Sequence, residues 1–211
     1  MAVETNLGTI LDSLQPEDNL GVLLAAQMGG TPQEIQLIIQ TTRLDEEKDA
    51  LVATGQYIVR AINTIEHRIT LGLFNNIAHS TSNPILYKHN EPLYEVFFRG
   101  KPENVDNLML DIQQLYGQTY GIYRHMADEL NRARPLASLL GEGYGYLGTM
   151  PAPFVERIKK LFNRYGMQIN TAEAESHRPD FQFELLVMDD SFIVAQLFSV
   201  DPMKQKAGQS A

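Results

Sequence analysis

The sequence predicts a mainly α protein with a C-terminal α+β part: long antiparallel helices, bundle-like, followed by a short helix and a small antiparallel sheet. Three observations carry that expectation. Leu51, Ile58, Ile62, Ile65 and Ile69 recur at helical spacing. Leu108, Ile112, Leu115, Tyr116, Tyr123, Met126 and Leu130 form a second narrow seam of the same kind, suited to helices crossing at a shallow angle. From Phe181 the period shortens to two, because Phe181, Phe183, Leu185 and Val187 alternate with Gln182 and Glu184.

The first 44 residues read as short helices separated by breakers, with Pro16 after one apolar stretch and Gly29-Gly30 after Leu20–Met28. Thr31-Pro32-Gln33-Glu34 has the form of a capping box with proline at the first helical position. The carboxylates of Asp45, Glu46 and Glu47 suit the positive end of a helix dipole. That helix is expected to run to about Ala78, a length of roughly 50 Å at about 1.5 Å per residue. His79–Asn90 has the chemistry of a reversal, and Glu91–Arg99 of a short helix closed by Gly100. Lys101-Pro102-Glu103 opens the second long helix, which Arg134-Pro135 ends.

Residues 141–148 are glycine-rich and read as a hinge or a tight turn. Beyond Pro151 and Pro153, an amphipathic helix carries Phe154, Val155, Ile158, Leu161, Phe162 and Tyr165 on one face, with Gly166 placed to cap it. Met167–Thr171 is a candidate strand, and Asp189-Asp190-Ser191 turns one strand into the return strand Phe192–Val200. The expected division is a helical scaffold at 1–134, a connector at 135–150, a small α+β module at 151–200 and a disordered tail at 201–211.

Composition removes several function classes. The chain has 211 residues and no cysteine, so a disulfide framework, a cysteine nucleophile, a thiolate zinc site and an iron–sulfur cluster are excluded. A formal charge of -9 disfavours nucleic acid and anionic membranes as partners for the surface as a whole. No apolar stretch approaches the roughly 18 residues of a membrane span. The first twenty residues lack the pattern of a secretory signal, so a cytoplasmic protein is expected. The charge is polarised: residues 1–50 carry nine acids and two bases, whereas Arg132, Arg134, Arg157, Lys159, Lys160 and Arg164 outnumber Glu142 and Glu156 across 132–164.

Gly143-Tyr144-Gly145-Tyr146-Leu147-Gly148 matches the G-x-G-x-x-G pattern that brings backbone amides up to a pyrophosphate. The context is wrong for a dinucleotide site, because a helical segment precedes it and two prolines interrupt the next helix. The five histidines, His67, His79, His89, His125 and His177, show no metal-ligand spacing, and Asp189-Asp190 reads as a hairpin turn rather than a carboxylate pair. No metal and no cofactor is expected. Tyr116, Tyr120 and Tyr123 make an aromatic stripe, read first as a core or subunit contact and second as the wall of a pocket. The candidate ligand-binding residues are therefore Tyr116, Tyr120, Tyr123, Gly143, Gly145, Arg157, Lys160 and Arg164.

With no catalytic constellation in view, the sequence points to a nonenzymatic regulatory or adaptor protein that binds a protein partner and homodimerises through its long helices. The alternative is a sensor in which the Tyr-bearing helix, the Gly-rich turn and the basic helix together hold a small anionic or aromatic molecule.

Overall fold

A computed structural model describes residues 7–15, 19–130, 133–174 and 181–203. Pro16, Arg132, His177 and most of the expected tail lie outside the described residues. In chain order, helix α1 (Leu7–Leu14) precedes strands β1 (Asn19–Met28), β2 (Ile35–Asp45), β3 (Ala50–Ile62), β4 (Glu66–Arg68), β5 (Gly72–Phe74) and β6 (Ile77–Ser80). A 3-10 turn, Pro84–Leu86, leads to α2 (Tyr87–Asn90), β7 (Leu93–Arg99), α3 (Val105–Tyr120), α4 (Met126–Glu129) and α5 (Leu136–Glu142). Then come β8 (Tyr144–Pro151), α6 (Ala152–Arg164) and β9 (Gln168–Glu173), followed by β10 (Glu184–Met188), β11 (Ser191–Ala195) and β12 (Leu197–Pro202). The chain divides into two compact units, residues 1–82 with 181–211 and residues 83–180.

The fold is mixed α/β with three antiparallel sheets, 44% strand against 30% helix, and the expectation of a mainly α bundle is corrected. The expected 50 Å helix over 44–78 is instead the end of β2 followed by β3, β4, β5 and β6, and the expected short helix Glu91–Arg99 contains strand β7. The physical reason lies in β2 and β3. In β2, Ile35, Leu37 and Ile39 are buried while Gln36, Ile38 and Gln40 are half-buried, a period of two. In β3, Val59 and Ala61 are buried, while Leu51 and Ile65 of the supposed seam are exposed. Ile, Val and Thr crowd this stretch, and branched side chains favour the pleat. The Thr31 and Glu34 side chains do meet, at 3.1 Å, but within the hairpin turn between β1 and β2, where the Gly29 amide donates to the Glu34 carbonyl at 2.8 Å.

Unit 1 holds a five-stranded sheet in the order β12-β3-β2-β1-β5 and a four-stranded sheet in the order β4-β11-β10-β6. One apolar cluster joins Ile10 of α1, Leu37 and Ile39 of β2, Leu186 of β10 and Ile193 of β11, all fully buried. Gly21 in β1 is required by packing, since a Cβ there would stand 2.1 Å from the Phe74 ring of β5. The turn at Asp189-Asp190 forms as expected, with Asp189 at φ 46° and its carboxylate accepting from the Asn75 and Asn76 amides at 2.7 and 3.0 Å. The three C-terminal strands do not make one small sheet with residues 167–171, however. β10 and β11 pair with β6 and β4, β12 pairs with β3, and β9 belongs to the other unit.

Unit 2 has a three-stranded sheet in the order β8-β7-β9. Both outer strands are antiparallel to β7, so they run parallel to one another, and α6 connects them around the intervening strand, a split βαβ arrangement. The expected α6 face forms: Phe154, Val155, Ile158, Leu161 and Phe162 are buried. They pack with Val96 and Phe98 of β7 and with Leu108 and Ile112 of α3. Helix α3 starts at the Asn104 cap, whose side chain accepts from the Asn107 amide at 2.9 Å, and stops at Gly121, so the second seam does not continue to Leu130. The glycine-rich segment, read as a hinge, is the α5 cap followed by strand β8.

Candidate functional site

The candidate ligand-binding residues fall into three places within unit 2. Tyr116 and Tyr120 point into the core. Their rings lie 5.6 Å apart, and Phe154 stands 4.7 Å from the first and 5.2 Å from the second. Burial, then the nearby Glu129 charge, pushes both phenols well above the usual tyrosine range, so they stay neutral at physiological pH. Tyr123 lies beyond the end of α3, its amide donating to the Tyr120 carbonyl at 3.2 Å, and it extends no stripe on that helix.

The basic residues line a different place. Arg157, Lys160 and Arg164 face Asp111, Gln114 and Gln118 across a groove of about 570 Å³ between α3 and α6, with Leu115 and Leu161 at its floor. Two of the cations are already engaged. Arg157 donates to the Thr119 hydroxyl at 3.1 Å, and Arg164 lies 3.6 Å from Asp111, which also accepts the Tyr165 hydroxyl at 3.0 Å. Burial and that bond to Asp111 raise the Tyr165 phenol above its ordinary value.

Gly143 and Gly145 line a third place with Phe97, Phe98, Arg99, Tyr144 and Tyr146, a shallow pocket of about 450 Å³. Gly143 takes φ 85° to cap α5, and its carbonyl accepts from the Gly100 amide at 2.8 Å. Gly145 takes φ 156°, and a Cβ there would meet the Leu139 side chain at 2.4 Å. These glycines shape the wall and bring no chemistry of their own. The chemistry comes from side chains on the sheet face turned away from Val96 and Phe98. Phe97 and Tyr146 are cross-strand partners with rings 5.2 Å apart, and Arg99 is the cross-strand partner of Tyr144. Tyr144 is 67% exposed, Phe97 and Tyr146 each 38%.

Phe97 and Arg99 are not among the sequence candidates, because Glu91–Arg99 reads as a short helix closed by Gly100. The signal that finds them is alternation: Tyr94, Val96 and Phe98 on one face, Glu95, Phe97 and Arg99 on the other.

In unit 1, His79 lies 2.8 Å from Glu184 with its ring edge-on to Phe198. Among the described residues no group of three or more His, Cys, Asp or Glu is arranged to hold a metal ion, and no helix is long and apolar enough to cross a membrane. Against protein-family models, curated proteins and solved structures, the chain matches none.

Proposed function

We propose that the chain is a nonenzymatic regulatory or adaptor protein, cytoplasmic, that acts through protein–protein interaction and pairs with a second copy of itself. The observation that carries this reading is the outer edge of β9. β9 pairs with β7 along one side, without a bulge, and among the described residues no other hydrogen bond is made by residues 168–173. Five of its six side chains are exposed. Edge strands of soluble proteins are ordinarily blunted by lysine, proline or a bulge; Gln168-Ile169-Asn170-Thr171-Ala172-Glu173 carries none of these.

An antiparallel pairing of β9 with its own copy has its two-fold axis perpendicular to the sheet, so a residue near the middle of the strand faces itself. Centred on Asn170 or on Thr171, that pairing keeps the single charge, Glu173, away from its twin. Directly opposed residues then stand about 4.5–5.5 Å apart between Cα atoms, within disulfide reach. The cysteine-free chain makes this a clean test. Asn170→Cys or Thr171→Cys is expected to give a covalent dimer on mild oxidation, and Gln113→Cys, exposed on α3, is not. The paired change Asn170→Lys with Thr171→Lys should yield a monomer by light scattering whose circular dichroism matches that of the unaltered chain. A monomeric mass for the unaltered chain at high concentration, with no cross-link at either position, would refute the reading.

A second reading, a ligand-binding sensor, is favoured by the pocket on the open sheet face, where exposed rings stand beside a cation. The earlier composite of tyrosine helix, glycine turn and basic helix is not its basis, because those three groups line separate places.

A further inference from the structure

We infer that the open-face pocket of unit 2 binds a planar heteroaromatic ring carrying an anionic group, an assignment that rests on the sensor reading. Two adjacent rungs of the sheet make the surface. One runs Tyr146, Phe97, Asn170; the next runs Tyr144, Arg99, Gln168. Each rung therefore offers an aromatic ring on β8 and a carboxamide on β9, with a third ring or a guanidinium between them on β7.

The rungs are two residues apart, about 6.8 Å along antiparallel strands, which leaves room for one flat ring against Tyr144 on one side and the Phe97–Tyr146 pair on the other. Tyr146 is held in place by its own hydroxyl, 2.9 Å from the Thr149 hydroxyl. Among the described residues Tyr144 packs on no ring and makes no side-chain hydrogen bond, and Arg99 makes no ion pair or hydrogen bond through its side chain. Exposed rings beside an unengaged guanidinium are the parts a flat anion needs: stacking area and a charge-assisted donor fork. Asn170 and Gln168 lie outside the pocket's lining, on the neighbouring strand of the same rungs, where their carboxamides offer donors and acceptors to the rim of a bound ring. The volume, about 450 Å³, suits one small molecule. Glu95, exposed on the next rung of the same face, opposes a long polyanion and favours a ligand whose negative charge sits at one end.

The test uses the full chain with four probes: AMP, adenosine, quinoline-2-carboxylate and quinoline. AMP stands for phosphate-bearing ligands and quinoline-2-carboxylate for carboxylates, so the arms separate the two sources of anion. Calorimetry should show saturable binding of one anionic probe, about tenfold tighter than its neutral counterpart, a ratio worth about 1.4 kcal/mol. Backbone amide shifts should centre on Phe97, Arg99 and Tyr144–Tyr146. Arg99→Gln should weaken the anionic probe to the level of the neutral one and leave the neutral one unchanged, while Tyr144→Ala weakens both. No saturable binding, shifts on another surface, or indifference to Arg99→Gln overturns the assignment. Native mass spectrometry of protein from its source separates the two failures: a retained non-aromatic molecule removes the ligand class and keeps the sensor reading, and no retained molecule beside four silent probes removes both.

Discussion

Phe97 and Phe98 are neighbours in sequence and chemically identical, yet they lie on opposite faces of one three-stranded sheet. Phe98 is 2% exposed and packs on Phe162 at a ring distance of 5.9 Å; Phe97 is 38% exposed and leans on Tyr146. Two arginines of the same unit repeat the contrast. Arg124 is buried, donates to Glu129 at 2.8 Å and to the Ile85 carbonyl at 3.2 Å, and lies over the Tyr120 ring, whereas Arg99 is exposed with its side chain unengaged. One face is closed over the core of the unit and the other is open to solvent. That difference predicts which substitutions unfold the protein and which leave it folded and mute.

The largest effect is expected for Phe98→Ala, a loss of about 3–5 kcal/mol by denaturant unfolding, because it empties a closed core. Arg124→Ala follows at about 3 kcal/mol, since it leaves the Glu129 carboxylate without its buried counter-charge. Gly145→Ala should cost about 1–3 kcal/mol, through the φ of 156° and the approach of Leu139. Phe97→Ala should cost no more than about 1 kcal/mol while abolishing ligand binding at the open face. If Phe97→Ala proved as destabilising as Phe98→Ala, the contrast between the faces would collapse.

The smallest effect at neutral pH belongs to Tyr116→Phe with Tyr120→Phe. Both phenols are held above the ordinary tyrosine value of 10.0, so the unfolded chain loses those protons first as pH rises. Folding stability should therefore be fully retained below about pH 10 and fall as the pH climbs beyond it. The double variant should flatten that alkaline fall, as read by chemical denaturation at successive pH values.

How much of this was legible in the sequence depended on length and on breakers. Helix α6 was readable because its two prolines, its amphipathic face and Gly166 all agree. The Asp189-Asp190 hairpin was readable because turn chemistry sits between two apolar runs. Strand β3 was not, because Leu51, Ile58, Ile62, Ile65 and Ile69 satisfy a helical period by coincidence in a dense branched stretch. Alternation of Ile35, Leu37 and Ile39 was the better guide. For the site, the glycines and Tyr144 and Tyr146 were visible and their true neighbours, Phe97 and Arg99, were not. Cross-strand partners forty-five or more residues apart leave no local trace in the sequence.

Unit 1 is interrupted by unit 2, and this has a consequence for the order in which the molecule can be built. Strands β10, β11 and β12, which complete both sheets of unit 1, come from the last part of the described chain. A ribosome therefore releases every element of unit 2 before it has made the strands that unit 1 lacks. Until residues 184–202 emerge, β6 has no β10, β4 no β11 and β3 no β12, and closing such distant contacts is slow. Nascent chains stopped before Glu184 should show protease resistance in 83–174 and none in 19–80, an asymmetry of birth rather than of finished stability.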